Sequence, residues 1–105
     1  MTNAKQEFLD QIEGRGLLCS EMRLASSDVV THTFQLKQDY TDQELEQFLT
    51  RIDFKYYQGP PYRNLLGFIW HTSNTWSERF DHDGIEWWEF REIPAIPVRL
   101  QGTGT

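Results

Sequence analysis

The sequence predicts an α+β fold: an antiparallel sheet of about five strands, at residues 17–24, 29–37, 65–71, 75–80 and 85–91, with two helices, 3–13 and 42–52, packed on one face. Three observations carry this. Residues 65–91, LLGFIWHTSNTWSERFDHDGIEWWEFR, hold all four tryptophans and alternate apolar with polar residues at the two-residue period of half-buried strands. Thr41-Asp-Gln-Glu44 has the spacing of a capping box and is followed by Leu45, Phe48, Leu49 and Ile52 at helical spacing. The elements come in the order helix, two strands, helix, three strands, which suits an antiparallel sheet with its helices on one side.

In chain order, Asn3 is a helix cap with Gln6 three residues on, Phe8, Leu9 and Ile12 line one side of the first helix, and Gly14 and Gly16 end it. The strands 17–24 and 29–37 are joined by Ala-Ser-Ser-Asp. Val30, His32, Phe34 and Leu36 share one side of the second strand, where His32 is expected as a hydrogen-bonded core residue. Tyr40 and Leu45 occupy the positions of a hydrophobic staple around the second helix. Residues 54–64, FKYYQGPPYRN, carry Gly59-Pro60-Pro61 and are expected as an irregular loop.

The three last strands have two turns to place. A loop of Thr72, Ser73 and Asn74, with Asn74 left-handed, sets Trp70 opposite Trp76, Phe68 opposite Glu78 and Leu66 opposite Phe80. For Asp81-His82-Asp83-Gly84, a two-residue turn at Asp83-Gly84 puts Glu78 opposite Glu89, so a four-residue loop that sets Phe80 opposite Ile85 is preferred. Trp87 and Trp88 then point to opposite sides of the sheet. Pro94 and Pro97 fix an extended segment expected to lie along the sheet, and residues 101–105 are expected as a flexible tail of a single domain spanning 1–105.

The 105 residues suffice for one real core, and an aromatic fraction of 14% against 38% hydrophobic residues implies a core built largely from rings. A formal net charge of −6 disfavours direct binding to nucleic acid, whose phosphates it repels. A single cysteine, Cys19, allows no internal disulfide and no cysteine-based zinc site. With neither a basic, apolar leader nor an apolar run of membrane-spanning length, the expected location is a reducing cytoplasm, with no membrane partner.

Few residue patterns point to chemistry. Glu78, Asp81, Asp83, Glu86, Glu89 and Glu92 cluster along the sequence, and paired carboxylates suit acid–base work, but acidic residues interleaved with tryptophan also describe a solvated strand face. Asp81, His82 and Asp83 with His71 read as a polar turn rather than a metal site, and neither a metal nor a cofactor is expected. Cys19 with His32 lacks any nucleophile motif, so Cys19 is expected as a buried structural thiol. Pro94 and Pro97 satisfy a minimal PxxP spacing and are read as structural. The stronger pattern is an excess of rings: Tyr56, Tyr57 and Tyr62 in the loop and Trp88 on the sheet, rimmed by Glu78, Glu86 and Glu89, form the expected partner-binding set.

The segments Gly67-Phe-Ile-Trp70, Thr75-Trp-Ser-Glu-Arg79, Asp83-Gly-Ile-Glu-Trp-Trp-Glu89 and Pro94-Ala-Ile-Pro97 resemble short acidic proteins of bacteriophages and mobile elements. The resemblance carries no catalytic residues to transfer; it implies a class, small proteins that bind and disable a host enzyme or a defence complex such as a CRISPR effector, in the host cytoplasm. The expected function is therefore a small non-enzymatic binding protein, monomer or homodimer, acting on a protein partner such as a basic nucleic-acid-binding protein. Two alternatives stand beside it: a small enzyme using paired carboxylates among Glu78, Glu86 and Glu89, and a self-associating structural protein.

Overall fold

Every strand pair described in the computed structural model, which describes residues 2–26, 29–56 and 64–102, is antiparallel. The elements are β1 (Thr2–Asn3), α1 (Ala4–Ile12), β2 (Cys19–Ser26), β3 (Val29–Leu36), α2 (Asp42–Arg51), β4 (Lys55–Tyr56), β5 (Asn64–Trp70), β6 (Thr75–His82) and β7 (Ile85–Glu92), with a 3-10 turn at Val98–Leu100. Five strands form one sheet in the order β3-β2-β5-β6-β7, and β1 pairs with β4 in a second, two-stranded sheet. The α+β class and the five main strands follow the sequence pattern; the short β1–β4 pair does not announce itself in two residues.

The helices begin where the sequence places caps. The Asn3 side chain accepts the Gln6 N–H at 2.9 Å, and Thr41 and Glu44 bond each other's backbone N–H groups at 3.1 Å each, satisfying donors that a helix start leaves open. Both helices pack on the same side of the sheet. Phe8 of α1 meets Phe48 of α2 with ring centroids 5.3 Å apart, and with Ile52 and Tyr56 they close over Met22, Leu24, Phe34, Leu36, Leu65, Ile69 and Trp88. Gly67 lets β2 and β5 approach: its φ is +144°, and a Cβ there would lie 2.4 Å from the Glu21 carbonyl oxygen.

The β5–β6 register pairs Phe68 with Glu78, Ile69 with Ser77 and Trp70 with Trp76, as the three-residue loop requires. Asn74 is not left-handed, however; among the described residues the non-glycine positions with positive φ are Asp39 and Asp83. The loop is held instead by the His71 and Thr72 N–H groups, which both donate to the Thr75 carbonyl, at 3.0 and 3.3 Å.

The β6–β7 register corrects the expected four-residue loop. His82 pairs with Ile85, Phe80 with Trp87 and Glu78 with Glu89, around a two-residue turn in which Asp83 and Gly84 have φ of 51° and 80°, both left-handed as a type I′ turn demands. The like-charge opposition that argued against this register is neutralised by Arg91, whose guanidinium lies 3.7 Å from Glu78 and 3.7 Å from Glu89.

Three further expectations change. His32 is exposed, stacked on Phe34 with its Nδ1 3.1 Å from the Thr31 hydroxyl, because β3 is an edge strand and the helices do not reach that end of it. Cys19 is half-buried and sits opposite Trp70 on the side away from the helices, not in the core; partial burial still pushes its thiol pKa up. The segment after β7 does not lie along the sheet: Ile93, Ile96, Val98 and Leu100 are all exposed. Residues 27, 28, 57–63 and 103–105, including Tyr57, Pro60-Pro61, Tyr62 and most of the expected tail, lie outside the described residues.

Candidate functional site

With both helices on one side, no described element covers the other face of the five-stranded sheet, the open face, and it carries rings. Strict alternation puts Leu66, Phe68 and Trp70 of β5, Trp76, Glu78 and Phe80 of β6, and Ile85, Trp87, Glu89 and Arg91 of β7 on this face. The rings stack in pairs: Phe68 on Trp70 with centroids 5.5 Å apart, and Phe80 on Trp87 at 6.5 Å across the β6–β7 ladder. Phe68, Trp70 and Trp87 remain 41%, 37% and 37% exposed, too large and too contiguous a set to be scattered surface residues.

Charge is organised around them. Arg91 lies over the Phe80 ring, 4.8 Å from its centroid, between Glu78 and Glu89, and Glu78 also accepts the Trp76 indole N–H at 3.3 Å. Towards β2, Glu21 accepts from Arg23 at 2.8 Å and from Gln35 at 2.7 Å, bonds that hold its carboxyl pKa below the usual range. Lys37, which lines one shallow pocket with Cys19, Glu21 and Trp70, joins Arg23 and Arg91 to equal in number the carboxylates of Glu21, Glu78 and Glu89, so the charges of the face are balanced.

The sequence-predicted partner set divides between the two sides. Glu78 and Glu89 lie on the open face. Trp88, Glu86 and Tyr56 are corrected to the covered side, at 9%, 2% and 5% exposure, so none of the three offers a docking surface. Tyr57 and Tyr62 are outside the described residues. Alternation alone could not say which of Trp87 and Trp88 faces out, since that depends on which side the helices cover. Of the rings that do face out, Phe68, Trp70, Trp76 and Phe80 share one phase of the two-residue period, and Trp87 joins them through its pairing with Phe80.

On the covered side the ionisable residues form a structural network. Arg79 donates from Nε to the Leu65 carbonyl at 3.0 Å and from Nη2 to the Tyr56 hydroxyl at 2.7 Å, and it pairs with Glu7 at 3.5 Å and Glu86 at 3.6 Å. Tyr56 donates in turn to Glu7, and Glu86 accepts the Leu65 N–H at 2.9 Å. Burial, reinforced by Glu7 and opposed by Arg79, pushes the Tyr56 pKa well above its ordinary value, so it stays a neutral donor. The network ties α1, β4, β5, β6 and β7 together.

A second polar chain was not visible in the sequence. His71 Nδ1 lies 2.8 Å from the Gly16 carbonyl, which can only accept, so Nδ1 carries the proton and Nε2 accepts the Ser77 hydroxyl at 2.7 Å; Ser77 accepts from the Gln11 amide at 2.7 Å. This is the connectivity of a nucleophile and its base. Ser77 has no exposed surface and His71 only 4%, so the pair joins α1 to β6 without meeting solvent. Burial, with Arg15 nearby, lowers the His71 pKa against the opposing bond to Gly16. Cys19 and His32, by contrast, lie on different faces of different strands.

Glu78 and Glu89 are neighbours, but Glu86 is on the far side of the sheet from both, so the three carboxylates do not converge. Among the described residues, no group of three or more His, Cys, Asp or Glu is placed to hold a metal ion, and no helix is long and apolar enough to cross a membrane. No protein-family model, no curated protein and no solved structure matches the chain.

Proposed function

We propose that the chain is a non-enzymatic binding protein that docks a protein segment on the open face of its sheet, the segment being aliphatic and flanked by basic residues. The observation that supports this best is the placement of Phe68, Trp70, Phe80 and Trp87: large rings, stacked in pairs and partly exposed, on paired strands. Rings held on strands lose little further freedom when a partner covers them, which lowers the ordering cost of binding. The net charge of −6 favours a basic partner. The same rings are able to stack nucleic-acid bases, but that mode relies on a positive groove to hold phosphates, and the guanidiniums of this face are already paired with carboxylates.

The resemblance to small phage proteins adds a host or defence protein as the class of partner. A carboxylate enzyme has less support: Glu78 and Glu89 are both engaged by Arg91, and Glu86 is bound into the Arg79 network. Isothermal titration tests the reading with two peptides of one aliphatic core, flanked by arginine or by aspartate, and with oligo-dT. Saturable binding of the arginine peptide, lost in the Phe68→Ser/Trp87→Ser double variant at an unchanged melting temperature, is the expected result. Binding of oligo-dT alone, or full peptide binding by the double variant, overturns it.

A further inference from the structure

We infer that the segment docked on the open face is the C-terminal arm, residues 93–100, of a second copy of this chain, the two copies exchanging arms. The inference rests on the docking reading above and names the partner.

The arm has the chemistry the face selects. Its sequence, IPAIPVRL, places Ile93, Ile96, Val98 and Leu100 beside two prolines and Arg99. Pro94 and Pro97 hold the segment extended, with Pro97 at φ −58° and ψ 146°, the polyproline geometry that aromatic surfaces bind with little ordering cost. A single 3-10 turn at Val98–Leu100 follows, closed by the Leu100 N–H on the Pro97 carbonyl at 2.8 Å. The aliphatic side chains find no cover on their own copy: Ile93, Ile96, Val98 and Leu100 are 59%, 64%, 78% and 67% exposed. One molecule therefore carries two unpartnered apolar surfaces of complementary kind, rings on a sheet and aliphatics on an arm, with the basic Arg99 on the arm suited to a chain of net charge −6.

The course of the chain favours a second copy over the arm's own sheet. The Ile93 N–H donates to the Asn74 carbonyl at 3.0 Å, which carries the strand past the end of β7 beside the β5–β6 loop. From there the arm runs on. An arm folded back over its own rings would cover both surfaces, yet Ile93, Ile96, Val98 and Leu100 and the rings of Phe68, Trp70 and Trp87 all stay exposed. At roughly 3.1 Å per extended residue the five residues 93–97 reach about 15 Å, three strand spacings of a neighbouring sheet. Exchange between two copies is reciprocal, so a two-fold axis makes both joints at once.

Sedimentation velocity on the full chain, from about 1 to about 500 µM, provides the test. The wild type is expected to dimerise within that range. Ile96→Asp on the arm and Trp87→Ser on the face should each weaken dimerisation at least ~tenfold, while Val29→Ser, an exposed aliphatic away from both, leaves it unchanged. Mixing the arm variant with the face variant should restore association, because that pair retains one intact arm and one intact face in the joint they share. A wild type that stays monomeric throughout, an Ile96→Asp variant that dimerises like wild type, or a mixture no better than its components overturns the exchange. If Trp87→Ser alone abolishes the dimer, the face still docks, sheet against sheet, and only the arm's role falls. If Trp87→Ser retains both the dimer and the arginine peptide, the docking reading falls with it.

Discussion

Arg79 and Arg91 sit on adjacent strands of one sheet, and each lies between two glutamates with its guanidinium over an aromatic ring. Arg79 pairs with Glu7 and Glu86 and lies 5.3 Å from the Trp88 centroid; Arg91 pairs with Glu78 and Glu89 and lies 4.8 Å from that of Phe80. The Arg79 side chain is 1% exposed and that of Arg91 is 41%. The same arrangement therefore has two uses. Under the helices water is excluded, each partner left alone is costly, and the group acts as a lock between elements. On the open face water screens the pairs, they add little to stability, and they remain free to meet a partner's charges.

The contrast breaks most sharply at Arg79. Arg79→Ala removes the donor to the Leu65 carbonyl and the Tyr56 hydroxyl together with the charge beside Glu7 and Glu86, and should cost about 3 kcal/mol in urea denaturation, enough to threaten folding. Gly67→Ala comes next: a Cβ 2.4 Å from the Glu21 carbonyl and 2.8 Å from the Met22 Cα meets backbone on both counts, so a loss of at least ~2 kcal/mol is expected from the same measurement.

His71 sharpens the contrast through pH. Its folded pKa lies below the usual 6.5, so the unfolded chain binds the proton more readily. The stabilisation is complete above that value and declines as pH falls through it towards the folded pKa. Protonation would also force Nε2 to donate, leaving Ser77 Oγ with two donors and no acceptor for its own hydrogen. Between about pH 7 and pH 5, wild-type stability should fall more steeply than that of His71→Asn, measured by denaturant midpoint. The smallest effect belongs to the open face. Arg91→Ala should change stability by less than ~1 kcal/mol, chiefly by exposing Glu78 to Glu89, while weakening or retuning whatever docks there.

The two faces were not equally legible. Local rules specified the helices, because capping side chains act within three residues and leave a signature in the sequence, as at Asn3 and at Thr41 with Glu44. The two-residue period grouped Trp76, Phe80, Ile85 and Trp87 on one side without showing which side. That depends on where the helices land, a non-local fact, and so Trp88 was expected outside when it packs beneath them. The Asp83-Gly84 turn is hidden when Glu78 and Glu89 are taken as an isolated pair; Arg91, thirteen residues from Glu78, alters the balance only once the strands are paired. The buried polar chains were least legible. Gln11 and Ser77, or Glu7 and Tyr56, are distant in sequence and meet only through α1 lying on the sheet.

The Ser77 hydroxyl bridges Gln11 and His71 with no surface reaching water. A hydrogen so placed swaps with bulk solvent only when α1 lifts or β6 parts from its neighbours. Its resonance should accordingly survive in proton NMR spectra, where most serine hydroxyls vanish through rapid exchange, and its lifetime would serve as a built-in clock for the rarest breathing motion of the molecule.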